Sequence, residues 1–238
     1  MVKTREYQIL LHACSQEGCL ICKLALESTQ RYLEAFKYEQ FTDVGIREEL
    51  RHTQGFCHTH TWQLVRMGAS LPLAQAYRDV LSDSIDQLRR STPTAPGSGR
   101  LRRLLDGKNG TGRANSAGTT GSTRPACPAC KRHTLAEERY IQDLRQALLD
   151  DAFMEQLSAS SGLCLEHFRL ANELRQTAVH GDWQQRLQQA QLTCLERLDT
   201  QLGELIRKHD YRFQDEEKGP EMHAWKQAAA LVGGEEIQ

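Results

Sequence analysis

Six of the eight cysteines fall into one arrangement that is written twice. Cys19-Leu20-Ile21-Cys22 is followed by Gly55-Phe56-Cys57-His58-Thr59-His60, and Cys127-Pro128-Ala129-Cys130 by Gly162-Leu163-Cys164-Leu165-Glu166-His167. As spacings these are C-x2-C-x34-C-x2-H and C-x2-C-x33-C-x2-H, offset by 108 and then 107 residues. The residues between them agree as well. Arg31-Tyr32 and Arg139-Tyr140 each stand nine positions after a C-x2-C pair, and Glu48 and Leu50 match Glu155 and Leu157. The chain therefore reads as two copies of one helical unit, residues 1–90 and 127–238, the second carrying a C-terminal tail, with a linker over 91–126.

Three thiolates and one imidazole suit Zn²⁺, which takes tetrahedral sulfur and nitrogen ligands at about 2.0–2.3 Å. Four protein ligands fill that shell, so the role expected of two zinc ions is structural rather than catalytic. A duplicated unit should carry its own complete site, which predicts Cys19, Cys22, Cys57 and His60 in one set and Cys127, Cys130, Cys164 and His167 in the other. A crossed arrangement, with both C-x2-C pairs at one all-cysteine site, stays open. His60 is the expected ligand rather than His58, because the second copy has His167 at the first position and Leu165 at the second. Gly55 and Gly162 would permit a tight backbone entry before the third cysteine. Arg31 and Arg139 are either donors to the sulfurs or packing residues. An iron-sulfur cluster uses the same residue types, and spacing does not separate it from zinc.

Leu occurs 31 times against 13 for Val and Ile together, so a strong helix former dominates and the β-branched residues of strands are scarce. The fold class expected is all-α. Tyr7, Leu10, Leu11 and Cys14 share one helical face. Leu73, Tyr77, Val80, Leu81, Ser84, Ile85 and Leu88 repeat the pattern after Pro72, a residue suited to a first helical turn. Leu187, Ala190, Cys194, Leu198, Leu202 and Leu205 predict a helix from about Asp182 to Lys208 with one buried face. Cys14 and Cys194 have no counterpart in the repeat and read as small buried hydrophobes. His12, His52, His133, His180, His209 and His223 read as surface or packing residues.

Ser91 to Ala126 holds 7 of the 17 Gly and 3 of the 6 Pro, the composition of a flexible linker. Its six Arg and Lys face Asp106 alone. That excess would serve a nucleic-acid-associated factor, but a charged linker also stays solvated with no partner at all. Over the whole chain 30 basic residues meet 31 acidic ones, so nothing demands a polyanion. No apolar run approaches the roughly 18 residues of a spanning helix, and none of signal length opens the chain, which predicts a soluble, cytoplasmic protein. In that compartment cysteines serve as ligands or thiols rather than disulfides. A thiol redox role for C-x-x-C would want βαβ elements that this composition lacks. No Walker loop, G-x-S-x-G or H-E-x-x-H is present, and no catalytic constellation stands out. The expected function is a non-catalytic scaffold or regulatory binding protein with a protein partner, without nucleic acid or membrane, and with homo-oligomerisation through the apolar stripes left open. Redox or iron-sulfur sensing is the alternative. Trp225 either docks internally, the preferred reading, or anchors a partner.

The duplicated C-x-x-C and G-F-C-x-x-H pattern, an amphipathic helix after each copy, and a tail with His209-Asp210-Tyr211-Arg212-Phe213, Trp225 and Leu231-Val232-Gly233 resemble a bacterial domain-of-unknown-function family of small Cys-rich helical proteins. The resemblance covers nearly all of the chain except the linker. It implies a bacterial, metal-binding protein and brings no activity with it. The chain departs from the family pattern in its long basic linker and in Leu163, which replaces the Phe of the second G-F-C.

Overall fold

A computed structural model describes residues 4–91, 125–173, 182–213 and 215–235. The expected linker, apart from Ser91, Pro125 and Ala126, lies outside the described residues, as does His180. Among the described residues there are ten α-helices and no strand: α1 (Arg5–Cys14), α2 (Leu20–Tyr38), α3 (Val44–His52), α4 (His58–Arg66), α5 (Ser70–Ser91), α6 (Pro128–Ala147), α7 (Asp151–Ala159), α8 (Leu165–Glu173), α9 (Trp183–Lys208) and α10 (Ala224–Gly233). None is long and apolar enough to cross a membrane.

Two helix caps fall at the same offset as the third cysteines. Asp43 accepts a hydrogen bond from the Ile46 N–H at 2.9 Å and so opens α3, while Asp150, 107 residues on, accepts from the Phe153 N–H at 3.1 Å and opens α7. Each carboxylate satisfies a donor that the first helical turn leaves free. In chain order, four helices begin with each C-x2-C pair, α2 to α5 and α6 to α9, with α1 before them and α10 after.

The chain divides into two compact units that do not follow the repeat: Met1–Glu34 with Ala129–Gln238, and Ala35–Pro128. In the first, Leu10 and Ala13 of α1, Ile21 and Leu24 of α2, Ile141 and Leu144 of α6, Phe153 and Leu157 of α7, and Leu187 and Ala190 of α9 form one continuous core. Tyr7 joins it at the edge, its ring 5.8 Å from Phe153 and its hydroxyl bonded to Asp150 at 2.9 Å. Helix α9 spans Trp183–Lys208 between Asp182 and His209, close to the extent the stripe predicts. The last carbonyls of α7 and the turn after it are met from α9. Arg197 donates to the Ser158 and Ser160 carbonyls, and the Cys194 sulfur lies 3.4–3.6 Å from the carbonyls of Leu157, Ser158 and Ser160, where its one S–H can donate. Cys14 and Cys194 are both buried, and burial pushes the Cys14 thiol up to about 12. Helix α10 buries Ala224 and Leu231, whereas Trp225 is 56% exposed, so the tail docks through its small and aliphatic residues and not through the indole.

In the second unit Phe36 meets Phe56 edge to face at 5.1 Å, and Leu50 and Leu64 are fully buried. Helix α5 packs on α3 with Ala76 inward and with two ion pairs across the seam, Arg47–Asp79 at 2.6 Å and Arg51–Asp83 at 2.7 Å. Its stripe is not one buried face, as periodicity suggests. Leu73, Tyr77 and Val80 are half-buried, but Leu81, Ile85 and Leu88 are exposed, because the inward arc of the helix is taken by Ala76, Asp79 and Asp83.

Candidate metal centres

Every C-x2-C and C-x2-H pair sits at a helix N-terminus. Cys19 precedes α2 and Cys22 is in its first turn; Cys127 and Cys130 stand likewise at α6. Cys57 is the N-cap of α4, with His60 one turn on, and Cys164 and His167 repeat this at α8. The spacing has a direct cause, since residues i and i+3 of a helix share a face. Thiolates also gain from the partial positive charge and free N–H groups of a helix start. Before each third cysteine the chain turns through a glycine with positive φ, +88° at Gly55 and +74° at Gly162. A side chain at Gly55 would meet the Tyr77 ring at 3.0 Å, and one at Gly162 would meet Gln191 at 3.0 Å. The sequence expectation for both glycines therefore rests on conformation and on space.

The eight residues come together in two sets of three cysteines and one histidine, each set with its ligand atoms within 4.8 Å of one another. The pairing is exchanged between copies: Cys19 and Cys22 meet Cys164 and His167, while Cys57 and His60 meet Cys127 and Cys130. This corrects both the within-copy pairing and the all-cysteine crossing. In each set one C-x2-C helix start faces the C-x2-H helix start of the other copy. Spacing alone is satisfied either way.

In the first set His167 Nδ1 lies 3.1 Å from Cys164 Sγ, 3.2 Å from Cys22 Sγ and 3.5 Å from Cys19 Sγ, and Cys22 and Cys164 are 3.7 Å apart. All four residues are buried. Hydrogen bonds from Cys19 and Cys22 hold Cys164 far below the ordinary thiol range, whereas burial, with the neighbouring sulfurs, pushes Cys19 well above it. Burial alone would lower the imidazole, but the sulfurs of Cys164 and Cys22 and the Glu137 carboxylate outweigh it and raise His167 to about 11. The thiolate is thus favoured at Cys164, beside a cationic imidazole, and a divalent ion bound there would supply the positive charge instead.

Sequence reasoning missed the groups behind His167. Its Nε2 faces Glu137 at 2.9 Å, which fixes the ring with Nδ1 toward the sulfurs and, in the neutral form that binds a metal, would keep the proton on Nε2. The same carboxylate oxygen lies 3.3 Å from His133 Nε2, and His133 Nδ1 lies 3.1 Å from Thr29 Oγ1. Burial would raise Glu137, yet its hydrogen bonds to the two histidines hold it at about 2. The signal was available, because Glu137 stands seven residues after Cys130 and four after His133, on one face of α6. Ser161 accepts from the Gly18 N–H at 3.0 Å and Glu235 from the Cys19 N–H at 3.1 Å, so the loop before α8 and the tail both brace the first C-x2-C turn.

In the second set His60 Nδ1 lies 3.1 Å from Cys57 Sγ and 3.4 Å from Cys127 Sγ. His60 and Cys127 are buried, and Cys57 and Cys130 are partly exposed. His58 is exposed beside Trp62, with ring centroids 6.2 Å apart, outside both sets. Arg31 and Arg139 are exposed too and turned to other partners, Arg31 to Glu27 at 3.4 Å and Arg139 to the Tyr140 ring at 4.5 Å.

Fold and sites together define a class: an all-helical protein with two internal Cys3His sets, each assembled from two helix N-termini. The chain belongs to the family of unknown function DUF6062, whose model matches residues 7–237. No curated protein and no solved structure matches it.

Proposed function

We propose that both sets hold Zn²⁺ and that the chain is a zinc-stabilised helical protein that works by binding a protein partner rather than by turnover. The observation that carries this reading is the size of the first set. A tetrahedral ion with zinc–sulfur bonds of about 2.3 Å places two sulfurs about 3.8 Å apart. The Cys22–Cys164 separation is 3.7 Å, and both sets gather their ligand atoms within 4.8 Å. That spacing suits one ion per set and leaves little room for the several irons of a cluster. Three thiolates and a neutral imidazole complete the shell with no position for a substrate, which supports a structural rather than catalytic metal. A cytoplasmic, bacterial setting agrees with thiols used as ligands.

Elemental analysis of the purified full chain, with its absorbance spectrum, tests the reading. The expected result is two zinc per chain and no visible absorbance. Iron with sulfide, or fewer than two metals at full occupancy, overturns it.

A further inference from the structure

We infer that the two sets are kinetically unequal: Cys57, His60, Cys127 and Cys130 form the exchanging site, which passes its metal to and from small thiols and chelators, while Cys19, Cys22, Cys164 and His167 keep theirs. This rests on the zinc reading above and concerns how each site is used. The residue types are the same in both sets, so the difference comes from what surrounds them.

Four observations separate the surroundings. Cys19, Cys22, Cys164 and His167 are each at most 7% exposed, whereas Cys57 and Cys130 are both partly open to solvent. Cys19, Cys22 and Cys164 also belong to the continuous apolar core of their unit. The chain's own tail lies over the first set: Glu235 accepts from the Cys19 N–H, and a side chain at Gly234 would meet the Cys22 sulfur at 3.9 Å. Finally, Glu137 braces His167 and is itself bonded to His133. A carboxylate behind a ligating histidine raises its basicity and fixes its ring, which strengthens the hold on a metal at the first set.

Exchange at the open set is ligand substitution without redox change. With a metal bound, the Cys57 or Cys130 sulfur would leave it and take up a proton as an incoming thiolate or chelator donor takes its place. An exposed sulfur admits that associative step, and a buried one must first be uncovered.

The zinc content of the full chain is measured first, and the chain is then mixed with the chromogenic chelator 4-(2-pyridylazo)resorcinol under native conditions. The inference expects one zinc equivalent to leave in a fast phase and the other in a separate, slower phase. Cys130→Ser should remove the fast equivalent and Cys164→Ser the slow one. Because either variant could misfold, the unaltered chain is also pulsed with iodoacetamide during the fast phase and mapped by mass spectrometry, with Cys57, Cys127 and Cys130 expected to label before Cys19, Cys22 and Cys164. Two equivalents leaving in one phase, or labelling of Cys19, Cys22 and Cys164 first, overturns the inference and leaves the zinc reading standing. A chain that carries no zinc from the outset instead overturns the zinc reading.

Discussion

Helices α5 and α9 occupy the same place in the two copies, each the long helix after a C-x2-H turn, and they are held to their neighbours by different means. Helix α5 meets α3 through Ala76 and two ion pairs at the rim, and it turns Leu81, Ile85 and Leu88 outward. Helix α9 buries Leu187, Ala190 and Cys194. Its Gln191 accepts from the Leu163 N–H and donates to the Leu163 carbonyl, both at 2.9 Å, beside the third cysteine. At the matching glycine the first copy places the Tyr77 ring, with its hydroxyl sharing a 2.6 Å hydrogen bond with Thr61. The difference teaches that the repeat specifies the cysteine corners and their caps, while each long helix solves its own packing.

Chelation should have the largest effect and test the contrast most severely. Structural zinc contributes roughly 10–16 kcal/mol in small peptides, against a total domain stability of roughly 5–15 kcal/mol. Hydrogen exchange on the stripped full chain should show α3 to α5 losing protection more completely than α7 to α9. Equal loss in the two would break the comparison. Next comes Leu187→Ala, expected to cost about 2–5 kcal/mol in denaturant unfolding, since Leu187 is 1% exposed and its removal leaves a cavity. Gln191→Ala strands the N–H and C=O of Leu163, at about 1–3 kcal/mol for each orphaned group, and should also loosen metal at the first set. A double-mutant cycle on Arg47 and Asp79 should return only about 0.2–1 kcal/mol, shrinking as salt is raised. Leu81→Ala, at a side chain 60% exposed, should move stability by less than about 0.5 kcal/mol. A cost for it as large as that of Leu187→Ala would mean that α5 has a covered outer face in solution.

The legible parts of the chain were those that local geometry dictates. Helix class followed from leucine content, α9 was readable nearly to the residue from its stripe and Asp182, and the preference for His60 over His58 followed from the copy that has only one histidine there. The exchange of partners between copies was not legible, because C-x2-C and C-x2-H are complete local devices that carry no record of which helix start they will face. Helix α5 misled for a related reason. Its apolar residues spread over two arcs, and only the ion pairs to Arg47 and Arg51 reveal which arc turns inward. The size of Trp225 favours internal docking over a partner contact, whereas Ala224 and Leu231 are the residues that α10 seats.

The exchanged pairing also sets an order in time. Cys22 and Cys164 touch across 142 residues, and the whole of the other set, from Cys57 to Cys130, lies inside that interval. A ribosome therefore finishes the inner set first. At roughly 5–20 residues per second the 37 residues from Cys130 to His167 take roughly 2–7 s. During those seconds a nascent chain holds one complete set of four ligands, while Cys19 and Cys22 wait with half of theirs. The outer set cannot be completed until Cys164 and His167 are made, and it is the one that joins the start of α2 to the start of α8.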